Sequence, residues 1–126
     1  MIKFNKETVL LLYRKMVNAT GGTYGIREES LLDSAVEAPY HTFDGIELYD
    51  TVLKKAARLG YGLVSNHPFV DGNKRIGVFV MLTYLEINDI HIEFTDDDII
   101  FMGLGLANGY LNYDKLYEFI EMKNKR

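Results

Sequence analysis

Apolar positions fall at helical spacing in six separate stretches of the chain, divided by short polar or glycine-containing breaks. Between Lys6 and Asn18, residues Val9, Leu10, Leu12, Tyr13, Met16 and Val17 form one face. The spacing predicts an amphipathic helix with Asn5 as its cap. Gly21-Gly22 and Gly25 interrupt the pattern. A second helix is predicted from Glu28 to Ala38, stopping before Pro39 because a residue that precedes proline is driven out of the α region. From Tyr40 to Tyr49 the pattern changes: Phe43-Asp44-Gly45-Ile46 is an Asp-Gly turn between β-favouring residues and predicts a small hairpin. Such a hairpin is marginal by itself and has to lean on the helices or act as a mobile flap.

A third helix is predicted from Thr51 to Asn66, capped by Asp50. Val52, Leu53, Ala56, Ala57, Gly60, Leu63 and Val64 make its inner face, and Lys54, Lys55 and Arg58 its outer one. Pro68 ends it. The fourth, Asn73 to Ile87, has so little polar surface that it reads as the buried centre of the fold, with Gly77 allowing a neighbouring backbone to come close. Ile90 to Phe94 reads as short and extended, with His91 as a half-exposed strand residue. Thr95 and Asp98 make a capping box for a fifth helix that Gly109 closes, and Asn112 caps a last helix from Tyr113 to Lys123. The expected class is all-α with a small β-hairpin flap.

Composition narrows the chemistry. At 126 residues the expectation is one domain, residues 1–126, since domains run to ~100–200 residues. With no cysteine there is no disulfide framework, thiolate metal site or cysteine nucleophile. The start, Met1 to Lys6, lacks the apolar core of a signal peptide, and no apolar run approaches the ~20 residues of a membrane span. The expectation is therefore a cytoplasmic protein that meets no membrane. A net charge of −4 argues against a nucleic-acid coat, so direct nucleic-acid binding is not expected.

One stretch concentrates reactive groups: His67-Pro68-Phe69-Val70-Asp71-Gly72-Asn73-Lys74-Arg75. It runs from the end of one predicted helix to the start of the next. The first-turn N–H groups of a helix have no internal partners and face its N-terminal loop, which makes an anion site. Lys74 and Arg75 oppose the helix dipole there at a local cost of roughly 0.3–1 kcal/mol each, which a bound phosphate would reverse. His67 supplies an imidazole able to take a proton near neutral pH, and Asp71 a carboxylate suited to Mg²⁺ beside phosphates. Base, metal ligand and anion nest within nine residues are what phosphoryl or nucleotidyl transfer requires. Taken singly, each residue has a plainer reading as a helix end, a turn or a solvated charge; together they favour a site.

The stretch HPFVDGNKR resembles the signature of the Fic/Doc superfamily, H-x-F-x-[D/E]-[G/A]-N-x-R. Residues 21–39 (GGTYGIREESLLDSAVEAP), 47–66 and Leu106-Ala107-Asn108-Gly109 are similar to its death-on-curing (Doc) branch, so the likeness spans nearly the whole chain. The resemblance implies a compact helical fold and the following roles. His67 is the general base toward a hydroxyl of a protein target. Phe69 is a buried anchor, and Asp71 the Mg²⁺ ligand. Gly72, Asn73, Lys74 and Arg75 form the phosphate and nucleotide nest, with ATP as co-substrate. The hairpin from Phe43 to Tyr49 is the flap that registers the target segment.

Two departures bear on the reaction. AMP-transferring members carry Gly where this chain has Lys74 and a second Arg where it has Val78; both differences are Doc-like. The Doc branch implies a toxin that transfers the γ-phosphate of ATP to a translation elongation factor, elongation factor Tu in the branch's known case. Gly72 stands where the member that gives the branch its name has Ala, so the resemblance to that member is incomplete. AMP transfer, or a decayed domain that binds only a nucleotide or partner, stays open as an alternative. The self-inhibitory pattern [S/T]-x-x-x-E-[G/N] is missing from the sequence, so the resemblance implies a separate cognate antitoxin. Gly103-Leu104-Gly105 lacks dinucleotide-loop spacing, and Asp96-Asp97-Asp98 diverge around a helix and read as part of a cap.

Overall fold

Four helices begin where a short polar side chain takes up an N–H of the first turn. The computed structural model describes residues 1–125. In it α1 (Lys6–Thr20) starts at Asn5, which accepts from the Thr8 N–H at 2.9 Å. Thr51, not Asp50, caps α3 (Val52–Ser65): the chain turns helical one residue later than expected, and the Thr51 hydroxyl meets the Lys54 N–H at 3.1 Å. Asp50 instead pairs with Lys54 Nζ at 3.0 Å. The Thr95–Asp98 capping box opens α5 (Asp96–Ala107), and Asn112 caps α6 (Tyr113–Asn124).

Helix α2 (Glu29–Glu37) runs into a 3-10 turn, Ala38–Tyr40, which carries Pro39 in its first turn, where a missing N–H is harmless. Strands β1 (Thr42–Phe43) and β2 (Ile46–Glu47) pair antiparallel, Phe43 opposite Ile46, through a tight turn with positive φ at Asp44 and Gly45. Ile90 to Phe94 forms no strand, because no neighbouring strand offers it a ladder; Ile90, Ile92 and Phe94 pack on the core instead. His91 there is exposed, with Nδ1 3.1 Å from Glu86. The molecule is all-α with a small hairpin.

Helix α4 (Asn73–Ile87) is central, with Ile76, Val80, Met81 and Tyr84 fully buried, and α3 packs along it. Their approach depends on glycine. A Cβ at Gly77 would lie 2.4 Å from Val64 Cγ2 and 3.0 Å from the Gly60 carbonyl. Gly77→Ala is therefore expected to destabilise the protein by about 1–3 kcal/mol through overpacking. Urea unfolding checks this, and an unchanged midpoint would contradict it.

The outward placement of Lys55 is overturned. Lys55 is 2% exposed, and its ammonium lies between Glu47 Oε1, at 2.9 Å, and the Tyr49 carbonyl. A long aliphatic stem let a charged residue sit on a packed face once polar partners met its tip.

Candidate functional site

The loop between α3 and α4 is held almost entirely through its backbone. Helix α3 ends at Ser65, Asn66 caps it, and His67 turns the chain at φ +51°. The Arg27 guanidinium clamps this corner, Nε donating to the His67 carbonyl at 2.7 Å and Nη2 to the Asn66 carbonyl at 3.3 Å. Beyond it, Ile26 and Phe69 form an antiparallel bridge: Arg27 N–H donates to the Pro68 carbonyl at 2.7 Å and Val70 N–H to the Gly25 carbonyl at 2.9 Å. The segment after α1 is thus a side wall for the loop.

Phe69 is fully buried and stacks on Tyr13 with ring centroids 3.9 Å apart; Tyr24 stacks near Tyr13 at 4.9 Å. The Tyr13 hydroxyl donates to the Asp71 carbonyl at 2.7 Å, with the Thr23 and Gly25 carbonyls also in reach. Burial pushes this phenol above its ordinary range, so it keeps its proton and stays a donor. Asn73 closes the loop from inside. Its Oδ1 accepts from Phe69 N–H at 2.8 Å, and its Nδ2 donates to the Phe69 carbonyl at 2.9 Å. The side chain is buried and bonded through both its amide oxygen and its amide nitrogen to Phe69, and the backbone N–H of Asn73 is left for the nest.

Gly72 leads into α4 at φ +84°, and no side chain caps this helix. Ile76 is the first residue whose N–H reaches back, to the Gly72 carbonyl at 2.8 Å, which leaves the N–H groups of Asn73, Lys74 and Arg75 without helical partners. Arg75 crosses to the end of α1, Nη1 donating to Thr20 Oγ1 at 2.6 Å and the Gly21 carbonyl at 3.2 Å. Asp71 Oδ2 accepts from the Thr23 N–H at 3.2 Å. Gly22 lies between these two side chains: a Cβ there would be 2.7 Å from Asp71 Oδ2 and 3.0 Å from Arg75 Nη2. The aliphatic stem of Lys74 runs past Gly103 of α5, where a Cβ would be 3.3 Å from Lys74 Cγ.

His67, Asp71, Gly72, Asn73, Lys74 and Arg75 all line one open cleft of about 560 Å³, together with Val64, Val70 and Ala107. The imidazole is exposed at its mouth. In the sequence Tyr13 shows only as part of a helical face, and Gly21 to Thr23 and Arg27 only within the stretch 21–39 that resembles the Doc branch; none of them reads as a support of the loop.

The donor set can be tested against Mg²⁺. Among the described residues no three acidic or histidine side chains converge. Asp71 alone offers a carboxylate, exposed beside free N–H groups and two cations. That is an incomplete set for a bare ion but fits Mg²⁺ arriving with phosphates, which binds through one or two carboxylates plus phosphate oxygens.

The fold is helical, and its loop–helix junction joins an imidazole, a carboxylate and an anion nest. Residues 3–85, spanning α1 through most of α4, match the model of the Fic/DOC family, and the chain belongs to that family. Toxin Doc of Mycolicibacterium smegmatis is 40% identical over 74 residues, which are 59% of this chain and 57% of that protein. Among the described residues no helix is long and apolar enough to cross a membrane.

Proposed function

We propose that the protein is a Doc-like toxin of a toxin–antitoxin pair, a cytoplasmic transferase that moves the γ-phosphate of ATP to a hydroxyl of a protein target. A translation elongation factor is the proposed target class. The observation that carries the reading is the shared cleft of His67, Asp71 and the α4 N-terminus; the likeness to a relative named Toxin Doc supports the toxin role and, with it, an antitoxin. His67 takes the proton of the acceptor hydroxyl. The N–H groups of Asn73, Lys74 and Arg75, with the Lys74 and Arg75 side chains, hold and orient phosphate oxygens. Arg75 already lines the cleft while its Nη1 is anchored on Thr20 and Gly21, and its remaining donors serve the phosphate. Asp71 would hold Mg²⁺, which would supply charge neutralisation for the phosphate oxygens.

Transfer of the terminal phosphate, in place of AMP, is favoured by Lys74 and Val78. Val78 is 5% exposed and buried in the core, so its position presents no cation to a phosphate. The products separate the two reactions: phosphoryl transfer releases ADP, whereas AMP transfer releases pyrophosphate. Incubation with an acceptor-containing lysate should yield ADP in step with acceptor modification. Pyrophosphate in step with modification would instead establish AMP transfer.

Asp71→Asn is expected to raise the Mg²⁺ concentration needed for half-maximal activity by at least roughly ten-fold, since even losing a group that only supports a metal's ligand costs about 10–100-fold. Its melting temperature should stay close to wild type, because the residue is exposed. An unchanged metal dependence would remove Asp71 from the ligand role.

A further inference from the structure

The hairpin of β1 and β2 has little of its own to hold it. Each strand has two residues, all exposed, and Phe43 and Ile46 are 70% and 71% exposed. A two-stranded hairpin of this size is marginal in water. A buried side chain of α3 nevertheless ties it down. Lys55, 2% exposed, sends its ammonium to Glu47 on β2 and to the carbonyl of Tyr49 just beyond it. A buried ammonium is tolerated only while its hydrogen-bond partners stay in place. The hairpin cannot swing away without stranding that charge. The Tyr49 ring, set edge-on to Tyr113 of α6 at 5.1 Å, braces the same point.

Lys55 also belongs to the helix that leads to His67. From Lys55 to the helix end at Ser65 is ~15 Å of rigid rise. One helix thus carries the tether of the hairpin and, past its end, the imidazole. We propose that Lys55 is a positioning residue that fixes the hairpin edge at a set distance from His67, and so governs how well an acceptor segment is held. The proposal rests on the reading of the hairpin as the surface that registers the acceptor.

The test uses Lys55→Met, which keeps the stem and removes the charge, and Glu47→Ala, which deletes an exposed partner and leaves the core untouched. Amide hydrogen exchange on the full chain reads the tether without any substrate. The Leu48 N–H, bonded to the His41 carbonyl at 3.1 Å, should exchange about ten-fold faster in both variants, while α4 amides keep their protection. With γ-labelled ATP and serial dilutions of a cell lysate as acceptor, labelling by either variant should fall about ten-fold when lysate is limiting and recover when it is abundant. Wild-type exchange at Leu48 in both variants would overturn the proposal. So would a loss of maximal rate with unchanged lysate dependence. If Lys55→Met does not fold, Glu47→Ala decides. If the wild-type protein labels nothing, the transferase reading fails, and the exchange measurement still decides whether Lys55 is the tether.

Discussion

His67→Ala is expected to lower acceptor modification by about 10³-fold, within the ~10²–10⁴-fold range that a general base contributes. Stability should change by no more than about 0.5 kcal/mol, the usual range for an exposed side chain. The two effects separate because the corner at residue 67 is held through its backbone. The Arg27 clamp grips the His67 carbonyl, and the Ile26–Phe69 bridge follows at once. Alanine keeps that carbonyl, and the backbone bonds that hold the left-handed turn at residue 67 stay in place. The variant should therefore bind ATP as wild type does and fail only in transfer. Growth arrest on expression is the cellular readout; arrest undiminished in His67→Ala would remove the enzymatic account and favour a domain that acts by binding.

Asn73→Ala is expected to damage both fold and activity. Its amide satisfies the N–H and the carbonyl of buried Phe69, so its loss orphans two backbone groups at about 1–3 kcal/mol each. A net destabilisation of about 2–4 kcal/mol follows. Activity should drop by roughly 10²-fold even at temperatures where the variant is folded, because the loop carrying His67 and Asp71 loses its internal latch and small misplacements are that costly. Urea unfolding combined with rates measured below the transition checks both. A stable variant with wild-type rate would show that the loop is held without Asn73.

The site was legible because its parts are contiguous. His67 to Arg75 lie within one turn and the start of one helix, so residue order alone brings the imidazole, carboxylate and cations together. Fold class was legible for a similar reason: Asn5, Thr95 and Asn112 cap the helices they precede, and Gly77 marks the close α3–α4 approach. Other features depend on contacts distant in sequence. Tyr13 follows the helical period and reads as core, and nothing local reveals that its hydroxyl reaches Asp71, 58 residues away. Gly21-Gly22 reads as a break until Asp71 and Arg75 are seen to close on it. Lys55 was misplaced because a face rule assigns every charge outward, and only the folded hairpin supplies the two oxygens that let its tip go inward.

The central claim is transfer of the terminal phosphate of ATP to a protein acceptor, and parallel incubations with ATP labelled at the γ or the α position test it most directly. The expected result is an acceptor labelled from the γ position only, with no label from α, and with γ label reduced about 10³-fold in His67→Ala. An acceptor labelled from α would contradict it and establish AMP transfer by the same cleft.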